Sequence, residues 1–259
     1  MFNLNCKEEV DYIVKEIRNT FNIKKFNKAV IGISGGIDSA VIANLCVKAL
    51  GKENVLGFQL PNGTQKDIKD SCLLCSHLGI FNERINIEPT VNSLIKDKDM
   101  TSVRKGNISA RIRMIILYDM AAKYNALVVG TGNRTELLLG YFTLHGDGAC
   151  ALEPIGHLYK TEVRQLAKYL KIPKSIITKA PSAGLWEGQT DEKELGYKYE
   201  DIDKFLHCCY DEMISPEKLS SLPYGFTEKF MMNIVDKVDK NLFKLEPNVT
   251  FKRLSVGRF

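Results

Sequence analysis

Ala29-Val30-Ile31-Gly32-Ile33-Ser34-Gly35-Gly36-Ile37-Asp38-Ser39 is the stretch that decides the fold. Ala29 to Ser34 reads as a short apolar strand, Gly35 and Gly36 break it, and Asp38 to Leu50 reads as a helix apolar on nearly every side, with Gly51 as its stop. Adjacent glycines let backbone approach a ligand closely. The N–H groups there and at the start of the helix offer partial positive charge, to which Ser34 and Ser39 add hydroxyl donors. Such a turn suits phosphate oxygens. It is neither GxxxxGK[ST], because no lysine follows the glycines, nor GxGxxG, because the spacing differs. Asp38 would repel phosphate unless a cation lay between them, which assigns it to Mg²⁺ on a polyphosphate. On the string alone, a plain capping role for Asp38 and Ser39 stays open.

Working outward, Val10, Ile13, Val14, Ile17 and Phe21 recur at helical spacing ahead of the strand. Behind it, expected strands at Val55–Leu60, Arg84–Ile87 and Ala126–Val129 alternate with helices at Asp67–Leu78 and through Ile108, Ile112, Ile115, Tyr118 and Ala122. A further helix carries Val163, Leu166, Ala167 and Leu170. This alternation implies an α/β fold with a doubly wound parallel sheet flanked by helices. Pro181 to Gly196, rich in Gly, Pro, Ser and acidic residues, reads as a mobile loop. The pattern from Glu200 onward is a helical C-terminal extension ending in a basic tail. With no internal repeat and no clear linker, residues 1–259 are expected to form one domain.

Composition sets bounds on the partners. Of 259 residues, 44% are apolar and 26% charged, so the chain buries a real core. The formal charge of +5 is a mild excess, and no basic stretch interleaved with aromatics suggests nucleic-acid binding. No run approaches the ~20 apolar residues that span a bilayer, and the first residues lack a basic region followed by an apolar core. Seven cysteines, an odd number in a chain this large, suit reduced thiols. A cytoplasmic protein is expected, with neither membrane nor nucleic acid as partner.

The string Ser34-Gly35-Gly36-Ile37-Asp38-Ser39 resembles the S-G-G-x-D-S loop of the ATP pyrophosphatases. Further stretches resemble ammonia-dependent NAD synthetases in that family's order: Leu60-Pro61-Asn62-Gly63-Thr64-Gln65, Gly106 to Arg113, Gly130-Thr131-Gly132-Asn133-Arg134-Thr135-Glu136, Gly140-Tyr141-Phe142-Thr143, Gly146-Asp147-Gly148, Leu158-Tyr159-Lys160-Thr161 and Gly188 to Gly196. The likeness covers about residues 28 to 206 and the tail. It implies an adenine nucleotide alpha-hydrolase-like fold, ATP as co-substrate, Mg²⁺ as cofactor, and amidation of deamido-NAD by ammonia in a homodimer. Carried over by position, Gly32, Ile33, Ser34, Gly35, Gly36, Ile37, Asp38 and Ser39 hold the ATP phosphates. Thr131, Lys160 and Ser182 contact ATP, and Asp38 and Glu136 bind Mg²⁺. Arg111, with the tail pair Phe251-Lys252, contacts deamido-NAD. The chain departs from the better-known pattern at Leu144 and Ala151, where many relatives place a lysine and an aspartate that contact deamido-NAD.

These residues suit the reaction. A carboxylate must be activated before ammonia can displace an oxygen, and ATP does this by adenylation; the protein positions the groups and stabilises the departing charge, with Lys160 foremost. Asp147, in its Gly-Asp-Gly turn, is the candidate for holding and deprotonating ammonium, with a simple turn role as the alternative. No glutaminase domain is expected, and free ammonia is the simpler nitrogen donor. Two other readings remain: a sulfur transferase or tRNA-modifying relative with Cys150 as sulfur carrier, and a non-catalytic adenine-nucleotide module. Cys72 and Cys75 form a CxxC with no second pair at zinc spacing, so core packing is expected of them. Trp186 suits packing on a ligand or a neighbouring subunit as well as it suits core packing.

Overall fold

A computed structural model describes residues 3–64, 68–95, 99–182, 188 and 190–246. Helix α1 (Cys6–Lys24) buries the five apolar residues whose spacing predicts it. Strand β1 (Lys28–Gly32) follows, and helix α2 (Ile37–Leu50) buries Ile37 and every residue from Ser39 to Cys46. Strand β2 (Val55–Gln59) is buried throughout. Helix α3 (Ile68–Leu78), strand β3 (Phe81–Arg84), helices α4 (Glu88–Leu94) and α5 (Ser102–Tyr124), and strand β4 (Ala126–Val128) complete the α/β portion.

The four strands lie in the order β3-β2-β1-β4, all parallel. Val30 pairs with Leu56 on one side and Val128 on the other. Alternation across β1 sends Ala29 and Ile31 into one apolar layer with α1 and α2, and Val30 into another with α4 and α5. Both faces are therefore covered, as the doubly wound reading requires. Because the chain leaves β1 toward β2 and later returns to β1's other side as β4, the sheet order reverses at the β1/β4 boundary. Ligands of open α/β sheets bind beyond the carboxyl ends of the strands at such a reversal.

Two expectations need correction. The third strand lies at Phe81–Arg84 and not at Arg84–Ile87: Ile85 and Ile87 carry the apolar signal, but they follow an edge strand whose residues are largely exposed and so leave no alternation to read. The stretch expected to be loop from Pro181 to Gly196 contains a short helix, α9 (Asp191–Leu195), closed by Gly196 at φ +83°.

Beyond β4 come α6 (Arg134–Leu139), α7 (Lys160–Tyr169) and α8 (Lys174–Ile177). The C-terminal helices α10 (Tyr199–Tyr210), α11 (Pro216–Ser220) and α12 (Glu228–Asn241) follow. They form a separate apolar cluster around Tyr199, Phe205, Leu206 and Ile234, which reaches the α/β portion through Leu139 and Tyr159. Among the described residues no helix is long and apolar enough to cross a membrane.

Candidate active site

The glycine turn sits at the sheet's reversal. Gly35 adopts φ +79°, a backbone that side chains disfavour, and the Gly36 N–H donates to Ser34 Oγ at 3.1 Å. Ser39 Oγ donates to the Gly36 carbonyl at 3.0 Å and lies 3.1 Å from Ser34 Oγ, so both hydroxyls are fixed along the turn. Gly36 brings no side chain to cap α2, and the first-turn N–H groups of a helix have no intrahelical partner. The local chemistry is that of an anion cradle.

Facing the turn is a group of charges drawn from three elements. Lys160 opens α7 and is buried. Its Nζ donates to Asp38 Oδ2 at 2.6 Å and to Glu136 Oε1 at 3.1 Å. Asn133 donates from Nδ2 to Asp38 Oδ1 at 3.1 Å, and its own side chain accepts from the Glu136 N–H at 3.0 Å as one half of a capping box on α6. Burial acts to lower the Lys160 pKa, yet the Asp38 and Glu136 carboxylates outweigh it and hold the ammonium above its ordinary value. Burial pushes Glu136 up to about 7; Lys160 opposes this and the Asp38 charge adds to it. The ring of Tyr199 stands 5.4 Å from Lys160 Nζ, closing the site from the α10 side.

These groups border a cavity of about 480 Å³, within the range of small-molecule sites. All of the Gly32–Ser39 turn except Gly35 lines it, as do Thr131, Glu136, Asp147, Lys160 and Ser182. Asp147 accepts from the Thr143 N–H at 2.9 Å. Burial raises its pKa, against hydrogen bonds from Thr143 and the nearby Arg113 charge. Arg111 is outside the lining: it is exposed on α5 and donates from Nε and Nη2 to the Leu144 carbonyl at 3.2 and 3.1 Å. Phe251, Lys252 and Trp186 lie outside the described residues.

The structure brings in residues beyond those assigned to the site from the sequence. Arg113, two positions past Arg111, lines the cavity and donates to the Leu60 carbonyl at 3.0 Å. Lys244, in a 3-10 turn at Leu242–Lys244, also lines it, and donates to the carbonyls of Gly140 at 2.6 Å and Phe142 at 3.1 Å. The signal existed in the sequence, since Phe243-Lys244 is the same residue pair as the Phe251-Lys252 assigned to the substrate. Asp191 is buried at the start of α9. Its N–H donates to the Pro181 carbonyl at 3.0 Å, and its carboxylate accepts from the Tyr199 hydroxyl at 3.0 Å.

Cys150 is a poor nucleophile here, because burial and the adjacent Glu153 carboxylate push its thiol up to about 12. Cys75 is buried, as expected of the CxxC. Cys72 is only half-buried and takes a 3.0 Å contact from Arg84 Nη2. All seven thiols stand free.

A glycine turn of this construction, at the reversal of an all-parallel sheet, is the arrangement typical of a class: α/β proteins that hold nucleotides beyond the strands' carboxyl ends. Within that class the chain belongs to the NAD synthase family, whose model matches residues 9–248. The NH(3)-dependent NAD(+) synthetase of Fusobacterium nucleatum is 44% identical over 245 residues, covering 93% of this chain and 94% of that protein. The solved NMN synthetase of Francisella tularensis superposes with a TM-score of 0.85 at 36% identity, covering 97% of this chain and all of the other. An NH3-dependent NAD synthetase from Campylobacter jejuni gives 0.81 at 32% identity over 96% of this chain and all of that one.

Proposed function

We propose that this chain amidates deamido-NAD to NAD with ammonia, using ATP, through an acyl-adenylate and with release of AMP and pyrophosphate. The observation that supports this most directly is the convergence of Asp38 and Glu136 on Lys160 beside the glycine turn. Two carboxylates that already surround one cation are hard oxygen donors. Such a set fits Mg²⁺, which is held by one or two carboxylates together with substrate phosphates. When bound, Mg²⁺ supplies positive charge to the phosphate oxygens.

The residues of the chain then divide the work. The N–H groups of the turn and of α2's first turn hold the triphosphate, with Thr131 and Ser182 on the nucleotide. The substrate carboxylate attacks the α-phosphorus, and the Lys160 ammonium stabilises charge on the departing pyrophosphate. Asp147, a buried carboxylate with a raised pKa, takes a proton from ammonium, and the resulting ammonia displaces AMP from the acyl-adenylate. Arg113 and Lys244 are cations placed to meet the anionic dinucleotide, in a chain that has Leu144 and Ala151 at two of the family's contact positions.

Residues 1–259 act as one catalytic unit, and a homodimer places the exposed Ile115 and Tyr118 of α5 against a second copy. The free thiols suit the cytoplasm. The test is incubation with deamido-NAD, ATP, Mg²⁺ and ammonium; absence of both NAD and AMP would reject the reading.

A second reading has one observation in its favour. The Francisella tularensis relative is an NMN synthetase, and this chain has Leu144 and Ala151 where many relatives place a lysine and an aspartate that contact the dinucleotide. Under that reading the acid amidated is the corresponding mononucleotide. Comparing kcat/KM for the two acids decides between them.

A further inference from the structure

Two hydrogen bonds behind the charged group converge on one carboxylate, and a third links the relay to the Lys160 backbone. Asp203 projects from α10 and is fully buried. Its Oδ1 accepts from Thr135 Oγ1 at 2.6 Å, and its Oδ2 accepts from the Thr161 N–H at 2.8 Å. The Thr135 hydroxyl, having donated to Asp203, accepts in turn from the Lys160 N–H at 3.0 Å. Thr135 immediately precedes Glu136 near the start of α6, and Thr161 immediately follows Lys160 at the start of α7. A single side chain from the C-terminal extension thus fixes the backbone on which both Glu136 and Lys160 are mounted.

Helix chemistry explains the choice of a carboxylate. The opening N–H groups of a helix have no intrahelical acceptor, and the positive end of its dipole favours an anion. In α7 the Glu162 carboxylate accepts from the Tyr159 N–H at 2.8 Å, from within the helix's own first turn. The Lys160 and Thr161 N–H groups are served from outside, by Thr135 and Asp203. Asp203 is in effect a cap donated by another helix, and Thr135 relays it to α6.

We propose that Asp203 is a positioning residue for the reaction, acting through Thr135 to hold the Lys160 ammonium and the Glu136 carboxylate at their 3.1 Å separation across the phosphate turn. Asp203 contacts neither carboxylate partner of Lys160 through a hydrogen bond, so its effect is on their geometry. The inference rests on the functional reading above.

The experiment uses Asp203→Asn, Thr135→Val, Thr135→Ser and the Asp203→Asn/Thr135→Val double variant in the full chain. Asparagine retains one acceptor but cannot serve both Thr135 and Thr161; valine keeps the branched shape of Thr135 without the hydroxyl, and serine keeps the hydroxyl. Asp203→Asn and Thr135→Val should each lower kcat by about 10- to 100-fold, the range for residues that orient ligands from behind. KM for deamido-NAD should stay within about threefold, because the interaction lost serves the transition state. Thr135→Ser should restore most of kcat, and the double variant should fall no further than the worse single one, since both act along one relay.

Wild-type kcat in both single variants, with only a lowered melting temperature, would overturn the proposal and leave a purely structural bond. So would Thr135→Ser no better than Thr135→Val. If the wild-type chain made no NAD, the functional reading would fail separately, and the positioning role would be judged by Mg·ATP affinity in titration calorimetry. About tenfold weaker binding in Thr135→Val but not in Thr135→Ser would sustain it; equal affinities would reject it.

Discussion

Asp38 and Lys160 are 122 positions apart in the chain and 2.6 Å apart in space. One lies in the glycine turn at the start of α2 and the other opens α7, so their meeting depends on the packing of α7 against α2. Their opposite charges, with Glu136 as third member, form the preassembled group to which the proposed function assigns a polyphosphate and its counter-ion.

Lys160→Met would remove the cation while leaving both carboxylates in place. Loss of one preorganised charge-stabilising donor lowers kcat by about 10²–10³-fold. Pyrophosphate release at saturating ATP should fall by that amount. The Glu136 pKa should climb beyond about 7, because the ammonium that opposes its burial is gone. A wild-type rate of pyrophosphate release would contradict the role given to Lys160.

Asp203 gives the stability of the fold a pH signature. Burial lifts its pKa to about 6 from an ordinary value of 3.8, against the hydrogen bonds from Thr135 and Thr161. A folded pKa above the unfolded one means that the native state binds the proton more tightly. The associated stability is fully present below about pH 4 and is lost as pH rises through about 6. The loss is on the order of 2–3 kcal/mol. Asp203→Asn has no such proton to lose, so urea titrations at pH 4 and pH 7 should show its stability gaining on the wild type by that amount. A constant difference between the two proteins would remove the titration from Asp203.

Cys150→Ala should retain activity within about threefold, because a buried thiol held near 12 presents almost no thiolate at neutral pH. Loss of all turnover, with the fold intact by circular dichroism, would restore the sulfur-carrier reading.

Lys244→Met would free the carbonyls of Gly140 and Phe142 and take a cation from the cavity wall. The expected result is a KM for deamido-NAD raised about tenfold, with KM for ATP little changed, since the turn that holds the phosphates is untouched. Equal effects on both substrates would place Lys244 at the nucleotide instead.

What the sequence revealed follows from how far each signal reaches. The turn from Gly32 to Ser39 is legible because strand, glycines and buried helix are contiguous, and each obeys a local rule. Glu136 is legible only through the likeness of the stretch from Gly130 to Glu136 to the family's motif, and the cap that Asn133 gives it emerges from the structure. Strand β3 is misplaced because an exposed edge strand leaves no alternating pattern. Asp203 carries no local mark, and Lys244 only the Phe-Lys pairing it shares with Phe251-Lys252: they reach the site from 68 and 104 positions away, through the docking of the C-terminal helices. Arg111 and Arg113 share one helix and one residue type, and only the twist of α5 against the sheet decides which of them faces the cavity.

The Lys244 contact also bears on how the protein fails when warmed. The 3-10 turn after α12 grips the segment that carries Tyr141 and Phe142, while the sheet and its two apolar layers are held together without it. Heat that loosens the C-terminal cluster should therefore silence the enzyme several degrees before the calorimetric peak of the β-layered body. Residual turnover after brief heating would decay ahead of the unfolding endotherm.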